Sequence, residues 1–361
     1  MKTMLTRTRR FLQEDFSVYL RARGKKEFWL QLQELTELYR LYHYPPYQYF
    51  KHGLYLESFD GNFRDFLPPE WIHRFRDSIN PKEYWPAVMD KQKFTDIMSK
   101  AGVVVPTNLA YISRSQDIVN MHGVKVSLKQ LLNWLFETGN TQTFFKPTIT
   151  AGGRGAFKAL ATEEHFLINE KAINETALFN LLFANNRYMN YLVQPFLIQH
   201  SLLNSINPAA VNTIRIDTFV KEDEIVHNGA ALKIGSGTSW VDNWSTGGFI
   251  CQIHLETGEL GTQATSKAKY GRRIVLRHPI TDFAFSGVRL PFWEETKQLV
   301  KAAASLFLPL RALGWDVAIT EKGPVIIEAN QDYSIFLLQE AAHGLRDTLI
   351  GQKTLATLLQ L

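Results

Sequence analysis

The stretch Gly314-Trp315-Asp316-Val317-Ala318-Ile319-Thr320, Glu321-Lys322-Gly323, Pro324-Val325-Ile326-Ile327-Glu328-Ala329-Asn330 decides the fold. It reads as two strands joined by a three-residue loop. Gly323 takes the left-handed position of that loop, and Pro324 opens the second strand, where a missing N–H is tolerated. Pairing Thr320 with Pro324 sets Trp315, Val317 and Ile319 opposite Ala329, Ile327 and Val325, a wholly apolar face. The other face then carries Asp316 opposite Glu328, with Asn330 one step along. A slip of one residue would bury Glu328 opposite Val317, so the hydrophobic pattern selects the first register. Two directly opposed carboxylates repel each other, and a divalent cation would relieve that. Asp316, Glu328 and the amide oxygen of Asn330 are all oxygen donors, which suits Mg2+. A solvated hairpin face is the competing reading of the same residues.

Outward from this hairpin, the chain of 361 residues is 45% hydrophobic and 12% aromatic, enough for a core divided among two or three subdomains. Cys251 is the single cysteine, so no internal disulfide forms and a reducing, cytoplasmic setting is expected. No run of eighteen apolar residues is present, and no apolar segment follows the basic N-terminus, so neither a membrane span nor a secretory signal is expected. The charge is uneven. Residues 1–26 hold Lys2, Arg7, Arg9, Arg10, Arg21, Arg23, Lys25 and Lys26 against Glu14 and Asp15, a net of +6. The whole chain carries +5, so the remainder nets −1. Such a segment suits contact with anionic lipid head groups or nucleic acid; a solvated helix end is the plainer reading.

Residues 8–44 read as helical, with Phe28, Leu32, Leu35, Leu38 and Leu41 at helical spacing, until Pro45-Pro46 stops them. Residues 47–90, rich in aromatics and proline, read as the rest of a cap. Lys91–Lys100 reads as a short helix carrying Lys93. Thr143–Pro147 reads as a strand with Lys146, running into a loop with Gly152, Gly153 and Gly155 whose backbone N–H groups can wrap phosphate oxygens. That loop lacks the Gly-Lys-Ser/Thr of a Walker A motif and the third glycine of a dinucleotide fingerprint. Tyr191–Leu197 reads as a strand interrupted by Pro195. In Val211–Val220 the alternation puts Thr213, Arg215 and Asp217 on one face, and an arginine there holds an anion or pairs with an acid such as Asp217. Glu224–Ile234 brings Lys233. The loop Gly235–Gly248, with Asp242, and the basic run Lys267, Lys269, Arg272, Arg273 and Arg277 read as mobile and anion-facing segments.

The order of these features resembles the ATP-grasp superfamily, and most closely its sugar-transfer-associated branch, which is similar to the glutamate-ligase-like proteins. The likeness covers roughly residues 80–340 and rests on Val211-Asn212-Thr213-Ile214-Arg215-Ile216, Gly314-Trp315-Asp316-Val317 and Val325-Ile326-Ile327-Glu328-Ala329-Asn330 taken together. The resemblance implies an α+β fold in which two α+β lobes clasp ATP behind an N-terminal helical cap. The expected division is 1–90 for the cap, 91–197 for the lobe with the Gly-rich lid, and 198–361 for the lobe with the Mg2+ site. It implies ATP and Mg2+ as cofactors. Lys93 and Lys146 would contact the nucleotide, Gly152, Gly153 and Gly155 would form the lid, and Gln194, Pro195, Phe196 and Leu197 would read adenine. Asp316, Glu328 and Asn330 would hold Mg2+, and Arg215 and Lys233 would face the transferred phosphoryl group. A carboxylate for ribose is expected just after the adenine-reading segment; Gln199-His200 stands there instead. The activity implied is carboxylate–amine ligation through an acyl phosphate, on small or saccharide-linked acids and amines in polysaccharide biosynthesis. A phosphotransferase on the same scaffold, and a non-catalytic anion- or membrane-binding protein, are the alternatives.

Overall fold

The computed structural model describes residues 11–150, 152–184, 186–237, 242 and 244–358. Lys2, Arg7, Arg9 and Arg10, expected to contact anionic surfaces, lie outside the described residues, as does Ala151 of the Gly-rich loop. Among the described residues no helix is long and apolar enough to cross a membrane.

Among the described residues fifteen strands form two antiparallel sheets. The first is built from β1 (Ala110–Ser113), β2 (Ile118–Asn120), β3 (Lys125–Val126), β4 (Gln142–Pro147), β5 (Phe157–Ala161), β6 (Phe166–Ile168), β7 (Lys171–Ile173) and β8 (Asn190–Pro195), in the order β3-β2-β1-β8-β4-β5-β6-β7. Two amphipathic helices, Leu128–Glu137 and Glu175–Phe183, press Leu131, Leu135, Leu178 and Leu182 against Phe145, Phe166 and Val193 on one face of it. Ser127 starts the first of these helices with a reciprocal cap: its hydroxyl accepts from Gln130 N–H, and the Gln130 side chain accepts from Ser127 N–H.

The second sheet comprises β9 (Thr213–Lys221), β10 (Glu224–Ile234), β11 (Phe249–Ile253), β12 (Leu260–Ser266), β13 (Ile274–Val275), β14 (Ala312–Thr320) and β15 (Gly323–Asn330), in the order β13-β12-β11-β10-β9-β14-β15. β9 and β14 lie side by side, between β10 and the edge strand β15, and are buried along almost their whole length. Alternation sends Ile214, Ile216, Trp315 and Val317 into a core shared with Val300 and Ala303 of the helix Trp293–Ser305 and with Phe94 and Met98 of the helix Lys91–Lys100. The opposite face carries Thr213, Arg215, Asp217 and, farther along, Phe219. The N-terminal helical segment packs Leu38, Tyr42, Ile72 and Phe75 against Phe219, Ala231 and Ala312 there, together with the helix Ile335–Ala341. The helical cap therefore covers the far part of the sheet face whose near part stays polar. Each lobe thus has its own antiparallel sheet and helices, and the expected α+β architecture is the one observed.

The hairpin differs from its expected register near the turn. Trp315 opposes Ala329 and Asp316 opposes Glu328, as the pattern requires, but Val317 then pairs with Ile326 and Thr320 with Gly323. A bulge at Ile327 accounts for the shift: one extra residue on β15 lets Ile326, wholly buried, enter the core, while Ile327 turns to the polar face. The turn shortens from three residues to Glu321-Lys322, and Gly323 keeps a positive φ of 120° as the first residue of the strand.

Candidate active site

A cleft of about 390 Å3 lies between the two sheets, lined from both. Its floor is the polar face of the second sheet, where four adjacent strands lay down a row of charges. Lys233 comes from β10, Arg215 from β9, Asp316 from β14 and Glu328 from β15. Arg215 and Asp316 are cross-strand partners, as are Asp316 and Glu328. Arg215 Nε donates to Asp316 Oδ1 at 2.8 Å, and Lys233 Nζ lies 3.1 Å from Asp316 Oδ2. Lys233 also approaches Asp242 at 3.9 Å, and Asp242 Oδ2 accepts from the backbone N–H of Thr213 at 2.9 Å. Burial alone would raise the Asp316 pKa, but the charges of Arg215 and Lys233 outweigh it and hold the carboxyl well below its ordinary range. Asp316 is therefore an anion locked between two cations. The competing reading of Arg215 was an ion pair with an acid such as Asp217; the acid it pairs with is Asp316, because β14 pairs directly with β9 at that position.

Asp217 is the unbalanced member of the floor. It is 1% exposed, and neither carboxylate oxygen has a hydrogen-bond partner. Burial pushes its pKa up to about 8, against the pull of Arg215 and with the push of Asp316. The hydroxyl of Tyr333, also buried without a partner, belongs to a residue whose Cβ and ring crowd the Cα of Gly314, as Asp217 Oδ1 does. A Cβ on Gly314 would stand 2.7 Å from Tyr333 Cβ, so only glycine fits there.

The roof belongs to the first sheet and the segments around it. Lys146 on β4 is 5% exposed, lines the cleft, and forms no ion pair among the described residues. Burial, then the neighbouring charge of Lys91, lowers its pKa to about 7, with Glu328 opposing. Gly152 and Gly153 line the cleft with φ of 67° and 70°, backbone that side chains with a Cβ rarely adopt. Gln194, Pro195, Phe196 and Leu197 line its inner edge. The Gln194 amide turns to Asn108 Oδ1 at 2.7 Å, the Phe196 N–H donates to Gln142 O at 2.8 Å, and Lys158 Nζ stands 3.9 Å from the centre of the Phe196 ring.

Twelve of the fourteen residues expected at the site line this cleft, and two do not. Lys93 is exposed on the helix Lys91–Lys100 and stays outside; Lys91 takes its place. The reason is helix phase. Asp90 caps the helix by accepting from Gln92 and Lys93 N–H, which sets Lys91 at the first turn facing inward and Lys93 roughly 200° around the axis. Lys91 Nζ donates to Thr150 O at 2.7 Å and lies 3.8 Å from Glu328 Oε2, joining the Gly-rich loop to the floor. The Asp90 cap was the signal in the sequence that fixes this phase. Gly155 packs under the ring of Tyr188, where a Cβ would approach to 2.5 Å, and so shapes the loop from outside the cleft. Of the basic run after residue 263, only Lys267 reaches the cleft; Arg272 is drawn to Glu340 at 2.9 Å and Arg277 to Asp282 at 2.8 Å. Trp244, Tyr333 and Leu337 close the far end and carried no signal in local sequence. Where a carboxylate was expected after the adenine-reading segment, Gln199 donates to Asn207 O and Ala210 O, and His200 caps the helix Ser201–Ile206.

The donors expected for a divalent cation fit one chemically. Asp316, Glu328 and Asn330 offer hard oxygens from neighbouring positions of one sheet face. Among the described residues no three His, Cys, Asp or Glu side chains cluster, so the set is two carboxylates and an amide. Glu328 is a quarter exposed to the cleft and held only loosely, by Lys91 and by the Asn330 amide at 3.3 Å. Arg215 and Lys233 already neutralise Asp316, so the opposed carboxylates do not by themselves require a cation.

A family model described as sugar-transfer associated ATP-grasp matches residues 70–350. Among solved structures the chain is similar to the ATP-grasp ligase PsnB complexed with minimal precursor, Mg and ADP (14% identity, TM-score 0.39, covering 78% of this chain and 61% of that one). It is similar to the VanG D-Ala:D-Ser ligase from Enterococcus faecalis (13%, 0.41, 74% and 61%). It is also similar to the D-cycloserine synthetase DcsG (15%, 0.43, 81% and 82%). The chain thus spans about three fifths of the length of the first two. No curated protein sequence matches it.

Proposed function

The chain belongs to the sugar-transfer associated ATP-grasp family, and from that premise we propose that it is an ATP-dependent carboxylate–amine ligase. The observation that carries this reading is the convergence on one cleft of four basic side chains, Lys91, Lys146, Arg215 and Lys233, with Asp316, Glu328 and Asn330. A triphosphate needs that density of positive charge, and its transferred group needs cations placed where negative charge develops. On this reading Lys146 and Lys91 bind phosphate oxygens beneath the loop bearing Gly152 and Gly153. The backbone of residues 194–197 and the ring of Phe196 receive the base. Arg215 and Lys233 face the oxygens of the phosphoryl group as it passes to the substrate carboxylate. An amine then attacks the acyl phosphate, forms the amide and releases phosphate, while the closed loop keeps water from hydrolysing the mixed anhydride. Mg2+, held by Glu328 and Asn330 with Asp316, would neutralise phosphate charge. The finer reading, that the acid or amine is saccharide-linked and serves polysaccharide biosynthesis in the cytoplasm, rests on the family description. The division at residues 90 and 197 is part of the same proposal.

The test is ADP and phosphate release measured for the purified chain against paired acids and amines. A ligase gives ADP, free phosphate and an amide in equal amounts. ADP with a phosphorylated product and no free phosphate would make it a kinase instead. Glu328→Gln keeps the shape and removes the charge, and turnover within about threefold of wild type would end the metal assignment.

A further inference from the structure

The chain leaves the hairpin through Gln331-Asp332-Tyr333-Ser334 and enters the helix Ile335–Ala341. Burial alternates along this segment: Gln331, Tyr333 and Ile335 are buried, while Asp332 and Ser334 are exposed and line the cleft. The helical cap fixes the segment from behind. Arg76, 1% exposed on the cap helix Pro69–Ile79, donates through Nη1 to Tyr333 O at 2.7 Å and pairs through Nη2 with Asp332 Oδ1. The same Nη2 meets His73 Nδ1 at 2.8 Å and Asp77 Oδ1 at 3.4 Å, so two carboxylates answer one guanidinium. Asp332 is thus held by Oδ1, while its Oδ2 has no hydrogen bond among the described residues. Ser334 occupies the N-cap of the following helix, where a serine hydroxyl usually accepts from the first turn; here it makes no such bond. A carboxylate oxygen and a hydroxyl, two residues apart, therefore stand unengaged at the cleft.

Charge decides what suits them. The rest of the cleft is lined by the basic side chains Lys91, Lys146, Arg215, Lys233 and Lys267. Its other acids are engaged: Asp316 by Arg215 and Lys233, Asp242 by Lys233 and the Thr213 N–H, and Glu328 by Lys91. A cation entering the cleft is repelled by those basic groups and drawn to Asp332. A primary amine near neutral pH is such a cation, an ammonium with three N–H donors and no acceptor, and it gains charge-assisted hydrogen bonds from a carboxylate and a hydroxyl. Asn330 stands two residues before Asp332, at most roughly 7 Å along the chain. An ammonium on Asp332 is therefore beside the proposed metal donors and the phosphoryl group they serve.

We propose that Asp332 and Ser334 form the subsite that holds the amine substrate as its ammonium, with Arg76 of the cap as the positioning residue that aims Asp332. This rests on the ligase reading and adds to it the charge of the second substrate. The full chain is given ATP, Mg2+ and each of the acids acetate, succinate, glutamate and glucuronate, and ADP release is read near neutral pH with two nucleophiles. Ethanolamine is almost wholly ammonium there; hydroxylamine is almost wholly neutral and traps an acyl phosphate as its hydroxamate. Asp332→Asn should raise the KM for ethanolamine at least about tenfold with kcat within about threefold, and move the KM for hydroxylamine less than about twofold. Asp332→Glu, which keeps the charge, should recover most of that loss. Ser334→Ala should raise the ethanolamine KM about threefold. Arg76→Lys keeps the buried charge but loses the planar fork, and should raise the KM for ethanolamine and not that for ATP. Asparagine keeps an oxygen for Arg76, and melting curves like those of wild type confirm that each variant is folded. The proposal is overturned if Asp332→Asn raises both KM values alike, or neither. Hydroxamate from hydroxylamine with no turnover of ethanolamine also overturns it and leaves the ligase reading standing. No ADP release from any acid with either nucleophile ends the ligase reading and this proposal with it.

Discussion

The floor and the roof of the cleft handle charge in opposite ways. The floor carries its charges in balance: Arg215, Lys233 and Asp316 neutralise one another across three buried strands, and Asp242 answers Lys233 from the loop beyond. The roof carries one buried charge, Lys146, with no ion-pair partner among the described residues, and surrounds it with glycine and backbone. Balance makes the floor a fixed electrostatic template, since moving any member strands another in low dielectric. Imbalance makes the roof receptive, since an incoming anion gains what the protein has left unpaired. The same cleft therefore combines a rigid wall with one that responds to its ligand.

The largest effect should come from breaking the floor. Asp316→Asn leaves Arg215 buried without its anion and Lys233 with Asp242 alone at 3.9 Å, and stability should fall by about 3–5 kcal/mol. Urea unfolding reads this as a lower midpoint at unchanged slope. A loss under about 1 kcal/mol would mean that the floor is wetter and looser than its geometry indicates.

Asp217, the floor's exception, sharpens the comparison through pH. Its folded pKa of about 8 lies above the ordinary carboxylate value, so the folded state holds a proton that the unfolded chain releases. Its contribution to stability is complete below about pH 4 and is lost as pH rises toward 8, by at most about 1.4 kcal/mol per pH unit. Asp217→Asn removes that loss, so the variant should gain on wild type in melting temperature between pH 5 and pH 8, on the order of that same window. Parallel melting curves across the window would show that Asp217 is ionised and paired after all.

The roof is tested next. Gly153→Val strains a backbone at φ 70° in an exposed loop, costing about 1 kcal/mol of stability, yet it should slow ATP turnover more than about tenfold. If stability and turnover fell together by the stability term alone, the loop would be scaffold and no lid.

The smallest effect concerns Lys146. With a pKa near 7 it is only partly charged at neutral pH, and a bound triphosphate would draw a proton onto it. Affinity for a non-hydrolysable ATP analogue should weaken about fivefold from pH 7 to pH 8, with proton uptake seen by calorimetry in buffers of different ionisation heat. Lys146→Met should abolish the uptake. Uptake that survives the substitution would assign the proton elsewhere and leave the roof as neutral as the floor.

Local sequence was enough to place Asp316 across from Glu328, to put Arg215 on the polar face of its strand, and to mark Lys146 and the glycines after it. Each follows from a period of two or from the needs of a single turn, which neighbouring residues encode by themselves. What lay beyond it was decided by contacts between distant segments. The bulge at Ile327 depends on which isoleucine the core accepts, and the core is filled by helices from elsewhere in the chain. Lys91 rather than Lys93 reaches the cleft because a cap sets the helix phase and that helix packs on the second sheet. The pairing of Arg215 with Asp316, 101 residues away, needs β9 and β14 to become neighbours, and no local pattern states that adjacency. The helix Phe28–Tyr42 divides its periodic positions: Leu38 is buried and Leu35 and Leu41 pack beside it, while Phe28 and Leu32 stay exposed. The buried partners of Gln31 and Glu34 belong to other segments, and such partners are a property of the folded chain.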